Sequence, residues 1–186
     1  MEQAQAVRSA GGEVWVGDET ALREFPPLRA AWARRGQQAT VVISGRNARR
    51  VVHGMVNLAT GELVRVVRER CRGEDVAVAV QALGARRPDV PKLLVWDNAP
   101  SHHTHRARQT AEAARIELAW LPFRSPELNP CEDLWRQLKA VVAANRAYPS
   151  VDELTTRATA WLDRLSPTDV LRYAGLRSSK FDWLPT

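Results

Sequence analysis

The segment Lys92–Trp96, KLLVW, constrains the fold of this 186-residue chain more than any other stretch. It is a short apolar run closed by Asp97-Asn98-Ala99-Pro100, and it reads as a strand buried on both faces of a sheet. Such a strand needs helices on each face, and the flanking sequence supplies them. Apolar spacing at Val76, Val80 and Leu83 predicts a helix over 73–84. A helix over 103–114 and a strand over 117–121 follow, then helices over 130–144, 151–165 and 167–174. Upstream, 13–17 (EVWVG) reads as a strand that stops at Asp18-Glu19. The stretches 41–44, 51–58 and 62–68 are rich in β-branched residues. Gly45-Arg46-Asn47 and Ala59-Thr60-Gly61 punctuate them, which predicts antiparallel pairing. Ahead of these, 21–36 carries Pro26-Pro27 and reads as an irregular excursion with a short helical piece. The expected fold is α/β: a mixed five-stranded sheet, antiparallel strands then parallel ones, flanked by helices. Residues 1–12 read as a loose lead-in, and 13–186 as one domain with a helical C-terminal part.

Composition excludes several classes. With 45% hydrophobic and 26% charged residues the chain is globular rather than disordered. Its apolar runs are too short to span a bilayer, and its N-terminus shows no secretory pattern. Two distant cysteines, Cys71 and Cys131, suit a reducing cytosol without a disulfide framework. The expected location is therefore the cytoplasm. A net charge of +6 suggests a polyanionic partner such as nucleic acid. Because 24 of the 27 basic residues are arginines, a GC-rich genome explains the excess equally well. Arg46, Arg49 and Arg50 cluster at a hairpin turn and are candidate phosphate contacts, as are Arg124 and Lys139.

Three carboxylates stand out. By period-two alternation Asp18 shares a face with Val14 and Val16, while Glu19 points the other way. Asp97 ends the buried strand. Each also reads simply as a turn or capping residue. Glu132 follows Asn129-Pro130, an N-cap and first helical position, so a helix-start role accounts for it too. Yet it lies beside the apolar stripe Cys131, Leu134, Trp135, Leu138 and Val142 and can face the sheet. Acidic groups converging there would need a cation. Hard oxygen donors select Mg²⁺ or Mn²⁺, and a pair of such ions suits phosphodiester displacement.

The motifs WVGDET around Asp18, LLVWDNAPSHH around Asp97 and LPFRSPELNPCEDLWRQLK around Glu132 resemble the catalytic domain of D-D-E transposases. The resemblance is to the mariner-type superfamily in its bacterial insertion-sequence branch, which shares the spacing of 34 residues between Asp97 and Glu132. AWARRGQ around Trp32 is similar as well. The resemblance implies an RNase H-like fold and a metal-dependent DNA strand transferase with Asp18, Asp97 and Glu132 as ligands of two ions. Asn98 and His102 match family residues beside the second Asp, and a supporting role near the metal or phosphates follows. Members cut transposon ends with water, then use the freed 3′-hydroxyl to attack target DNA, commonly at TA. The implied partners are transposon ends, target DNA and a second copy of the chain, with neither membrane nor small-molecule cofactor. Members also carry helix-turn-helix modules ahead of this domain. Only about a dozen residues precede the first strand here, so the expectation is a catalytic domain lacking them. Two alternatives are another RNase H-like nuclease that hydrolyses without joining, and a transposase remnant that binds DNA without catalysis. His102, His103 and His105 form a patch with too few donors for zinc, and they read as helix-start polar residues.

Overall fold

A computed structural model describes residues 2–43 and 45–181. The chain runs α1 (Glu2–Ser9), β1 (Glu13–Arg23), β2 (Arg49–Asn57), β3 (Leu63–Arg68), α2 (Gly73–Gly84), β4 (Lys92–Trp96), α3 (His105–Ala113) and β5 (Ile116–Trp120). Three helices follow: α4 (Pro130–Leu138), α5 (Val151–Asp163) and α6 (Pro167–Tyr173). The five strands form one sheet in the order β3-β2-β1-β4-β5. β1–β2 and β2–β3 are antiparallel, whereas β1–β4 and β4–β5 are parallel. The mixed sheet predicted from the sequence is present.

Alternation along the strands divides the core in two. Val14, Val16, Val52, Val56 and Leu93 face α4, α5 and α6 through Leu134, Trp135, Leu138, Leu154 and Val170. Trp15, Met55, Leu94 and Trp96 face α2 and α3 through Val76, Val80, Leu83, Ala107 and Ala111. The sheet is thus buried on both sides, as KLLVW requires.

Three expectations are corrected. The lead-in is not loose: good helix formers at 2–9 build α1, with Glu2 in its first turn and Arg8 in its last. Ala4 is buried, Val7 packs on the core, and Gly12 N–H donates to Val7 O, so tertiary contact fixes the segment. β1 does not stop at Asp18-Glu19 but runs to Arg23, because its register with β2 continues unbroken to Arg23↔Arg49. Thr20 and Leu22, both buried, carry the alternation past the acidic pair. Finally, residues 41–43 form no strand, and Ser44 lies outside the described residues. Ser44 apart, the chain from Phe25 to Ala48 is irregular, without the short helical piece expected in 21–36, and it leaves Leu28, Trp32 and Val42 in solvent. The predicted helix over 130–144 is α4 followed by a single π-helical turn, Lys139–Ala143.

Candidate active site

The parallel pairing of β1 with β4 ends at Val16↔Val95. Asp18 and Asp97 lie two residues beyond that point, Asp18 within β1 and Asp97 just after β4, at the carboxyl edge of the parallel strands where α/β sheets place ligands. Asp18 continues the face of Val14 and Val16, and Asp97 continues that of Leu93 and Val95; both faces meet α4.

The start of α4 is docked to this edge by its own cap. Asn129 Oδ1 accepts from Cys131 N–H (3.0 Å), while Asn129 Nδ2 donates to Gly17 O (3.1 Å). Cys131 Sγ donates to Val16 O at 3.4 Å. One turn later Trp135 lies over Gly54, the β2 residue paired with Asp18. A methyl group at Gly54 would stand 2.4 Å from the indole, so only glycine admits this approach. The consequence is that Asp18, Asp97 and Glu132 line one cavity of about 290 Å³, with Asn98, Arg124 and Asn129.

The three carboxyls differ in surroundings. Glu132 is exposed, Asp97 half-exposed, and Asp18 buried with Oδ2 lacking any hydrogen-bond partner. Burial, then the charges of Glu132, Glu19 and Asp97, push Asp18 up to about 8 against a backbone hydrogen bond from Glu19. An unpartnered, strongly perturbed carboxyl in a cleft is a candidate functional group. Hard oxygen donors of this kind fit Mg²⁺ or Mn²⁺.

His102 is buried beside the site rather than placed as an ordinary helix-start residue. Its Nδ1 meets Asp97 Oδ1 at 2.8 Å, and its Nε2 meets Glu19 Oε1 and Oε2 at 3.1 Å each. Its ring stacks on Trp96 with centroids 4.1 Å apart. Burial opposes the imidazolium, but the hydrogen bonds to Asp97 and Glu19 outweigh it and raise His102 to about 9. The same contact holds Asp97 below its ordinary range. Glu19 is pushed up by burial, yet His102 and His53 keep it low. Asn98 Nδ2 donates to Leu121 O (2.6 Å), tying the ends of β4 and β5 together. His103 is separate from this set and packs on Trp120.

Among the described residues, the donor atoms of Glu19, His53 and Cys71 also gather within 4.8 Å of one another. Two of these donors already satisfy each other, with His53 Nδ1 3.1 Å from Glu19 Oε1. Burial and the neighbouring Glu19 raise the Cys71 thiol, keeping it protonated. The acidic triad, by contrast, has uncommitted oxygens.

The basic candidates separate. Arg124 lines the carboxylate cavity with φ at 56°, a backbone setting uncommon outside glycine and a feature of functional loops. Arg49 and Arg50 stand at the start of β2, in clefts they share with Arg68, Arg70 and Arg72 on the same sheet edge. Arg46 pairs with Glu24 at 3.5 Å, and Lys139 stands seven residues beyond Glu132, outside the cavity lining.

Residues 13–155 match the family model described as DDE superfamily endonuclease. The chain belongs to this family. Among relatives of the DDE chain is the insertion element IS630 uncharacterized 39 kDa protein of Shigella sonnei. It is 28% identical over 166 residues, covering 86% of this chain and 47% of that protein. The Tc3 transposase of Caenorhabditis elegans is 42% identical over 59 residues, 31% of this chain and 18% of that one. The chain thus spans about half or less of the length of these curated relatives. The Mos1 mariner paired-end complex with Mg superposes with a TM-score of 0.70 at 18% identity, over 91% of this chain and 53% of that one. The catalytic domain of Mos1 mariner transposase gives 0.62 at 15% identity, over 97% and 84%. The fold is RNase H-like, as the sequence motifs imply.

Sequence reasoning missed Glu19. Alternation places it on the face away from Asp18, but its partner His102 is 83 residues away and no local spacing links them. The second bond of Asn129, to Gly17, is likewise invisible in a capping motif.

Proposed function

We propose that this DDE chain is a metal-dependent domain for DNA cleavage and strand transfer, as in DNA transposition. The observation that carries the reading is the convergence of Asp18, Asp97 and Glu132, from three separate elements, on one cavity, with Asp18 Oδ2 unpartnered inside it. These three carboxylates would hold Mg²⁺ or Mn²⁺, two ions in the working enzyme. Held there, such ions would supply activation of water or a DNA 3′-hydroxyl and charge stabilisation for the departing oxygen of an in-line displacement. The chain's own residues do the rest. Asn129 and Cys131 fix the start of α4 against β1, and His102 and the Ala99 N–H (3.0 Å) hold Asp97 Oδ1. Asn98 keeps the end of β4 beside β5.

Arg124 supplies positive charge at the mouth of the cavity, and Arg49 and Arg50 extend it along the sheet edge. These, with Arg46 and Lys139, are the proposed backbone contacts to DNA, which add affinity without reading sequence. The Mos1 neighbours include complexes with transposon ends and with Mn or Mg, which supports the same partners and ions here. Pairing two ends requires two copies of the chain, so a homodimer assembled on DNA is part of the proposal. Among the described residues no helix is long and apolar enough to cross a membrane. The proposed place of action is the bacterial cytosol.

The test is a nicking and joining assay on labelled duplex DNA with Mn²⁺ or Mg²⁺. It compares the wild type with Asp97→Asn and Glu132→Gln. Metal-dependent nicking and joining by the wild type alone supports the reading. Nicking without joining points to a hydrolytic nuclease, and DNA binding with three equally inert proteins points to a remnant.

A further inference from the structure

Glu19 is a mostly covered carboxylate, its side chain 12% exposed, with no place in the metal-binding triad, and two histidines meet it. It stands directly opposite His53 in the β1–β2 register, and His53 Nδ1 approaches its Oε1 at 3.1 Å. His53 is in turn 3.4 Å from Arg70 O through Nε2. On its other side Glu19 meets His102 Nε2, and His102 Nδ1 meets Asp97 at Oδ1 (2.8 Å) and at the backbone oxygen (3.2 Å). A continuous chain therefore runs from β2 through β1 to Asp97, the residue after β4.

Its location explains its use. Backbone pairing between β1 and β4 stops at Val16↔Val95, so no ladder fixes Asp18 relative to Asp97. The adjacent residues Asp18 and Glu19 project to opposite faces of β1. A grip on Glu19 from behind is thus rigidly coupled to the setting of Asp18 in front. His102 carries that grip to Asp97, and the stacked Trp96 ring holds the imidazole in plane. Asp97 Oδ1 is taken by His102 and by Ala99 N–H, which leaves Oδ2 uncommitted.

We infer that Glu19 and His102 are a positioning pair: together they lock Asp97 to β1 beneath the site, so that Asp18 and Asp97 present their free oxygens at a fixed mutual distance. This rests on the proposed metal-binding role of the triad. Partners that orient ligating carboxylates typically change metal affinity by roughly 10–100-fold when removed.

The test measures Mn²⁺ affinity of the protein by the electron paramagnetic resonance signal of free Mn²⁺, with thermal unfolding in parallel. It uses Glu19→Gln, His102→Gln and the double variant, with Asp18→Asn as the control for the triad. Each single variant is expected to bind Mn²⁺ roughly 10-fold or more weakly. The double variant should lose little beyond the worse single one, because both break one chain. Wild-type affinity in folded single variants, or losses that multiply in the double, overturns the pair. If both conservative variants fail to fold, the pair serves the fold rather than the site and the inference is equally lost. Wild-type binding that Asp18→Asn leaves unchanged would instead defeat the reading of the triad itself.

Discussion

Asp18 holds the largest electrostatic cost at the site. Its carboxyl is raised from 3.8 to about 8 by burial and by the surrounding acids, so the folded chain retains a proton that the unfolded chain has released. Stability from this group therefore falls as pH rises from 3.8 toward 8. His102 acts in the same direction. Raised from 6.5 to about 9, it stabilises fully below 6.5, and that contribution is lost as pH rises through 9. Metal-free protein is expected to lose melting temperature steadily between pH 6.5 and 9, measured by thermal unfolding in chelator. Mg²⁺ or Mn²⁺ should restore it at pH 8, because cation binding favours ionised Asp18. Asp18→Asn should raise the metal-free melting temperature at pH 8 by on the order of 5 °C and abolish the response to metal. A variant that melts lower than wild type under those conditions would mean Asp18 is a structural residue.

At the scale of elements, the site depends on how α4 meets β1 and β2. Gly54→Ala pushes a methyl into the Trp135 ring, at 2.4 and 2.7 Å from its atoms. The expected cost is about 1–3 kcal/mol in chemical denaturation, with nicking reduced further because Glu132 moves with the helix. Asn129→Ala removes the cap and the link to Gly17 together, for about 1–2 kcal/mol. A nicking rate that stays at the wild-type level in either folded variant would disconnect α4 docking from the site. The elements themselves were largely legible. KLLVW required a strand covered on both faces, and Asn129-Pro130 marked the start of α4. The alternation also puts Asp18 on one face with Val14 and Val16, the face that meets α4. β1 reads short in the sequence because Asp18-Glu19 looks like a turn, whereas the β2 register, a long-range pairing, carries the strand on. α1 is not legible because eight residues of good helix formers are too short to hold a helix alone, and burial of Ala4 with packing of Val7 on the core completes it. The Glu19–His102 contact was illegible for the same reason: it joins residues that only the finished sheet brings together.

At the scale of the molecule, positive charge and acidic chemistry share one edge of the sheet. Arg49, Arg50, Arg68, Arg70 and Arg72 gather where β2 begins and β3 ends, beside the carboxyl ends of β1 and β4. Arg68 is committed to Asp75 at 2.9 Å and Arg50 to Asp152 at 2.8 Å, whereas Arg49 and Arg70 project into solvent. Replacing Arg49 and Arg70 by alanine should weaken binding to all duplexes alike and lower the salt slope of affinity by about one to two, measured by fluorescence anisotropy across a salt series. An unchanged slope would place the DNA elsewhere. Among the described residues, the open triad can be set against the closed Glu19–His53–Cys71 group as a home for a cation. The decisive measurement is anomalous scattering from crystals soaked in Mn²⁺. A peak in the cavity, in contact with Asp18, Asp97 and Glu132, is the predicted result. Mn²⁺ at Glu19, His53 and Cys71 alone, or none at a concentration that supports DNA nicking, would contradict it.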